Sequence, residues 1–355
     1  MHGVSESGGG GARFGAGAFP GFSLRGHDLL PLRAAPRLRR CVFALLGVGK
    51  DRVTLASKDQ QLDAYFPQEI MPPKPSASAA RAAHHYTPEQ LKRLWSKLHV
   101  TDREPWPGHA EITRAMAAAA QFAAWVGEYG GARSLATALQ ATWVEFHAGA
   151  FARAIELGGA LGALGACVAN RAAAVDSLYS HSSERVVTSM LLAAIERGEQ
   201  AVQQLPEHPN THYTLALVLG RYSQRISILK AISEGLAARV KTHLERTLEL
   251  EPRHAEAHVA LGLYHAEIVH KLGGVVASLT YGVSARAALE HFHRAVQLAP
   301  RSPIVHMEYA YALLLLDPAR HRTEAQKLYS EAAGCEPLDA MEALDVARAK
   351  RGLPT

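Results

Sequence analysis

The sequence predicts an all-α fold, an irregular array of helical hairpins, and three observations predict it. Beyond Tyr86 the chain is rich in Ala, Leu, Glu and Arg, and no sustained run of alternating β-branched residues interrupts these helix formers. Breakers at Gly130-Gly131, Pro206 to Asn210, Pro252, Gly273-Gly274, Pro300 and Pro337 cut this material into segments of ordinary helix length. A small–aromatic–small–proline spacing also occurs twice. Ala288, Phe292 and Ala295 stand 12, 8 and 5 residues before Pro300, and Ala325, Tyr329 and Ala332 hold the same offsets from Pro337.

Taken in order, residues 1–80 read as unstructured. Gly8 to Gly11 are consecutive glycines, and Pro20, Pro31, Pro36, Pro72, Pro73 and Pro75 break any period. Met71 is a natural alternative start, with the preceding stretch an over-extended N-terminus. Thr87-Pro88-Glu89-Gln90 has an N-cap, a proline at the first helical position and an acidic first turn. Leu91, Leu94, Trp95 and Leu98 follow at helical spacing, and Pro105 and Pro107 close this entry helix. The spacing then predicts N-terminal helices with a degenerate hairpin over 81–205, around Ala148 to Ile155, and repeats over 206–350. The run Leu157–Ala166, with Gly158, Gly159, Gly162 and Gly165, could form a membrane dimerisation face. Its flanking Arg153, Glu156 and Arg171 favour closely packed soluble helices instead.

The two spaced sets resemble the tetratricopeptide repeat. Small residues let paired helices approach, the aromatic fills the gap to the next unit, and proline ends the helix. Leu261-Gly262 and Leu219-Gly220 carry the first-helix resemblance. Val240, Leu244 and Thr247 hold the second-helix sites of a weaker unit. Pro252 to Pro300 spans 48 residues against about 34 in an ordinary repeat. The excess is His270 to Val283, a glycine-bearing insertion read as a helical extension or as the wall of a pocket, the extension being favoured. A smaller excess lies around Arg225 to Lys230. Paired insertions of this kind, with Leu-Gly-Arg-Tyr at Leu219 to Tyr222, are similar to the regulator of microtubule dynamics family.

Several chemistries are argued against. The formal net charge is +5, but residues 1–70 hold nine Lys/Arg against six Asp/Glu, so the body is near neutral. Nucleic-acid binding needs clustered cations, which leaves no nucleic-acid partner expected. Cys41, Cys167 and Cys335 are scattered and odd in number, which argues for reduced thiols in the cytoplasm over a disulfide framework or zinc site. No apolar run approaches the roughly 20 residues of a membrane span, so membrane insertion is not expected. Arg37 to Val48 imitates a signal peptide but lies far from Met1 and lacks a cleavage site. Leu46 to Lys50 resembles a phosphate loop yet has Ala44 and Asp51 where Gly and Ser/Thr are required. His254 and His258 lie one turn apart, with His265, His291 and His293 nearby. A shared metal is possible chemistry for such a pair, but they hold packing positions of the repeat, and packing is the favoured reading. No cofactor and no catalytic set is expected.

The repeat resemblance implies a concave groove built from first-helix positions. These are Thr214, Leu217, Arg221, Gln224 and Arg225 in one unit, and Glu256, Val259, Leu263, Ala266 and Glu267 in the next. The third unit supplies Ile304, Met307, Tyr311, Leu314 and Leu315. Arg221, Gln224, Arg225, Glu256, Glu267, Met307 and Tyr311 are its candidate contact residues. Arg221 and Arg225, one turn apart, suit a carboxylate or acidic peptide, or else form salt bridges, for instance with Glu267. Leu217, Val259 and Ala266 stand where a chaperone-tail clamp needs Lys and Asn. The expected function is a non-enzymatic scaffold for a protein or peptide. The alternative is a small-molecule or anion site closed by the insertions.

Overall fold

Capping signals set where the helices begin, and burial of their apolar stripes sets how they pack. The computed structural model describes residues 84–118, 126–127, 129–179 and 183–352, all within one compact unit, Gln68–Thr355. The expectations for residues 1–80 lie outside the described residues. Among those described, fifteen helices form and no strand does.

Helix α1 (Pro88–Leu98) starts as the sequence predicts. Thr87 caps the Gln90 amide, the Gln90 side chain caps Thr87 in return, and Pro88 begins the first turn. Leu91, Trp95 and Leu98 face inward. The helix stops well before Pro105, because His99 bonds Asp102 at 2.9 Å and Arg103 takes a left-handed φ of 57°. The segment then folds back beneath Trp95, whose indole donates to the Glu104 carbonyl at 2.7 Å and meets Trp106 and Trp143 edge-on.

Helices α2 (His109–Ala118) and α3 (Ala132–His147) pack together, and α4 (Phe151–Ala160), α5 (Gly162–Tyr179) and α6 (Glu184–Gln204) follow as antiparallel neighbours. The glycine run lets two helices approach closely. A Cβ on Gly165 would stand 2.1 Å from the Gly158 carbonyl oxygen, so α4 and α5 meet backbone to backbone. No described helix is long and apolar enough to cross a membrane. The small residues of α5 let it sit buried on nearly every side between its neighbours.

Three hairpins form the repeat array. They are α7 (Pro209–Ser223) with α9 (Leu236–Leu250), α10 (Ala255–Leu272) with α12 (Ala285–Leu298), and α13 (Pro303–Leu316) with α14 (Pro318–Ala333). The short α8 (Ile228–Ser233) and α11 (Gly274–Tyr281) are the insertions, and α15 (Ala340–Gly352) ends the array. The small and aromatic residues of the two spaced sets are all buried: Ala288, Phe292 and Ala295, then Ala325, Tyr329 and Ala332. A Cβ on Gly262 would fall 2.7 Å from the Phe292 ring, which explains Leu261-Gly262 on α10. Phe292 in turn stacks on Tyr309 of the next hairpin, 5.0 Å between centroids. Residues 270–283 form the helical extension. α10 continues to Leu272, Gly273 breaks it at φ 76°, and α11 follows, leaving Val275 and Leu279 exposed while Ala277 and Val283 are buried.

The histidines pack, as their repeat positions imply. His212, His258 and His306 each point Nε2 at the carbonyl of the proline six residues earlier, Pro206, Pro252 and Pro300, at 2.9, 3.3 and 2.9 Å. His254 is the N-cap of α10, accepting from the Ala257 amide at 3.0 Å.

The inner face of the array differs from expectation. Helix α5 packs against α7, and α15 packs against α13 and α14. Thr214, Glu256, Val259, Ala266, Met307 and Leu315 are buried, those on α10 where it packs against its neighbours in the array. The groove implied by the repeat resemblance is filled by helices of the same chain, because α5 is slim enough to enter it.

Candidate functional site

Pro209 opens α7 and Gln224 closes it, so the sequence Arg221 to Arg225 stands at the helix's C-terminal end, where cations suit the dipole. Ser183 and Glu184 begin α6, where an acidic residue is favoured. These two ends meet beside the end of α5. The Arg225 guanidinium donates to both Glu184 carboxylate oxygens, at 2.7 and 2.6 Å, and to the Ser177 carbonyl. Glu184 stays 79% exposed despite this double bond. Arg221 reaches Gln224 Oε1 at 3.3 Å, and its Nε is buried with no hydrogen-bond partner.

Arg221, Gln224, Arg225, Glu184, Ser177 and Leu178 line an open cleft of about 420 Å³. Burial pulls the Arg221 pKa below its usual value, and nearby Arg348 adds to this, while Glu308 opposes it. Behind the cleft Arg348 pairs with Glu308 at 3.2 Å. Tyr179, whose pKa is raised by burial and by Asp345, leaves its buried hydroxyl without a partner. Asp345 is likewise pushed well up by burial, with Arg348 pulling the other way, and its buried Oδ2 has no partner. A cleft lined by Arg221 and Arg225 is suited to an anionic group, since a carboxylate matches the guanidinium fork.

The seven candidate residues separate into groups. Arg221, Gln224 and Arg225 come together in the cleft. The salt bridge of this pair is made with Glu184 rather than Glu267, which lies on α10 near Lys271 at 3.5 Å. Met307 is buried in α13, and Tyr311 is half-buried on the same helix. Glu256 belongs to the interior. Its Oε1 takes the Arg171 guanidinium at 2.6 Å and the Thr101 hydroxyl at 2.5 Å, and Oε2 takes the Tyr213 hydroxyl at 2.7 Å.

Arg171 also bonds Asp102 at 2.9 Å, and Asp102 in turn holds His99. His99 reaches His147, which bonds Asp339 at 2.7 Å. Although burial pushes the Asp102 carboxyl up, His99 and Arg171 together hold it well below the usual range. Burial lowers the Arg171 pKa, but Glu256 and Asp102 outweigh it and raise it well above normal. Sequence reading passed over this network. Its one visible signal was Arg171, the charge that ends the apolar run of α5.

Residues 167–343, just under half of the chain, match the model of the family Regulator of microtubule dynamics protein 1-3. That stretch runs from α5 into α15 and contains both insertions and the arginine cleft. No curated protein matches the chain.

Proposed function

The similarity between residues 167–343 and the regulator of microtubule dynamics family is the premise here, and from it we propose that the chain is a non-catalytic helical scaffold docking an acidic protein segment at the Arg221–Arg225 cleft. The observation that carries the reading is the Arg225–Glu184 contact. An exposed carboxylate held by two hydrogen bonds at the mouth of a cleft is an internal stand-in for a partner's carboxylate. An incoming Asp or Glu that displaced Glu184 would still lie at the α6 N-terminus, where anions are favoured. A family described by its action on microtubule dynamics fits a protein-binding role. The cleft lining supports a non-catalytic reading, because the Ser177 hydroxyl is engaged by the Ala174 carbonyl and Glu184 by Arg225. Free thiols at Cys167 and Cys335 fit a reducing, cytoplasmic setting.

The test is anisotropy binding of acidic and neutral peptides to the full chain. Acidic peptides bind more tightly, and added salt weakens them. Arg225→Ala lowers their affinity about tenfold or more, the worth of a charge-assisted hydrogen bond. Glu184→Gln raises affinity by removing the internal competitor. Equal affinity of both peptide classes, or no change in either variant, overturns the proposal. A small anion is the second reading, favoured by the cleft's volume, which falls within the roughly 300–1,000 Å³ of ligand sites. Free dicarboxylates competing with the peptide at low concentration would support it.

A further inference from the structure

The turn after α1, the middle of α5 and the residue before α7 bring three ligand-bearing side chains to one place. Glu104, Cys167 and His208 each offer one ligand atom, and these atoms lie within 4.8 Å of one another. All three line a cavity of about 40 Å³, whose other walls are mainly apolar, including Ile112, Leu139 and Leu164. This is room for an ion and a water, since one water needs about 10–15 Å³ on the same measure.

The polar atoms there are incompletely used. His208 Nδ1 is buried with no hydrogen-bond partner, and Nε2 stands 3.9 Å from Glu104 Oε1, beyond hydrogen-bond distance. The ring is partly exposed, but a buried ring nitrogen ordinarily has a partner, and Nδ1 is free to take one. Glu104 is already oriented. Asn210 donates to its Oε2 at 2.6 Å, and Asn210 is itself held by His254 at 2.9 Å. An oriented carboxylate with a second partner behind it is the usual support of a metal ligand.

We propose that Glu104, Cys167 and His208 form a partly buried site for a divalent ion of the zinc class, with a cavity water as fourth ligand. The mixed sulfur, nitrogen and oxygen set suits zinc and not calcium or magnesium, which take oxygen ligands. Zinc–ligand bonds of about 2.0–2.3 Å place tetrahedral ligands about 3.5 Å apart, so side-chain adjustments of about 1 Å close the site. Thiolate and carboxylate together cancel the ion's charge, which a low-dielectric cavity requires. Burial accordingly pushes the metal-free Glu104 carboxyl up to about 8 and the Cys167 thiol well up, and it lowers His208 to about 4. Bound metal would tie the entry segment, α5 and the start of α7 together.

The experiment titrates chelator-treated, untagged full chain with Co²⁺ and then Zn²⁺. One Co²⁺ binds per chain with a thiolate-to-cobalt charge-transfer band, Zn²⁺ displaces it, and the thermal midpoint rises. The band persists in the Cys41→Ser/Cys335→Ser variant and vanishes in Cys167→Ser, with circular dichroism confirming the fold. Glu104→Gln, which keeps shape and the helix content, weakens binding more than tenfold, and Asn210→Ala about tenfold. Should Cys167→Ser fail to fold, Glu104→Gln and the wild-type stoichiometry decide. Absence of stoichiometric binding by the wild type overturns the proposal. So does a band that survives Cys167→Ser or disappears with Cys41 and Cys335, or unchanged affinity in Glu104→Gln.

Discussion

Arg171 shows at the residue scale how one side chain joins distant parts of the sequence. It pairs with Asp102 and with Glu256, both buried, so its removal leaves two carboxylates without their cation. Arg171→Met is expected to destabilise the chain by about 3–5 kcal/mol, read as a fall in the urea midpoint. Had the pairs been exposed, the effect would be nearer 1 kcal/mol or below. Gly262 is the steric counterpart. Gly262→Ala sets a methyl against the Phe292 ring and is expected to cost about 1–3 kcal/mol, and the smaller ring site of Phe292→Leu should recover part of that loss in a double-mutant cycle. The demand for glycine at 262 was legible from Leu261-Gly262. The partners of Arg171 were not, because they lie 69 and 85 residues away and no local pattern encodes that approach.

At the scale of elements, the second helices were readable because their buried stripe repeats at fixed offsets from a closing proline. The histidine at the fourth position of each first helix belongs to the same repeat, reaching back to that proline's carbonyl. Two of these histidines face a second histidine, His212 with His243 and His258 with His291. Burial, helped by the partner imidazole, lowers His243 and His258 to about 4, with the Pro252 carbonyl pulling the other way at His258. An imidazole with a folded pKa below its unfolded value of about 6.5 binds fewer protons when folded. The stability these histidines contribute is therefore fully present above pH about 6.5 and is lost as pH falls toward 4. The urea midpoint measured across that range should drop, and His258→Gln should lessen the drop. The insertion helix α11 behaves differently. Val275 and Leu279 are 75% and 84% exposed, so Val275→Ser and Leu279→Ser should change unfolding free energy by no more than about 0.5 kcal/mol.

For the whole molecule, α5 and α15 occupy the face that an open repeat array would present. The ion network then ties residues near 100 to the second repeat, and His147 to Asp339 beyond the third. A chain cut to residues 206–352 would lose α5, Arg171 and Asp102 and leave Glu256 unpaired. It is expected to show no cooperative thermal transition, whereas the intact protein shows one. Over nearly the same pH window as the histidines, and with the opposite sign, burial and Asp339 raise the Glu342 carboxyl to about 7. A folded pKa above the unfolded one stabilises fully below about 4.5 and is lost as pH rises through 7. Glu342→Gln should flatten that part of the stability profile.

The sequence by itself determined that the protein is helical, where the hairpins turn, which second-helix residues are buried, and that two arginines stand one turn apart at the end of α7. Those properties are local, set by propensity, capping and spacing within a few tens of residues. Only the tertiary structure decided that the inner face is filled, that Glu256 serves Arg171, that Arg225 holds Glu184, and that Glu104, Cys167 and His208 meet. Each of these depends on α5 entering the array, an approach that its small residues permit sterically. Where it lands follows from packing between segments far apart in the chain.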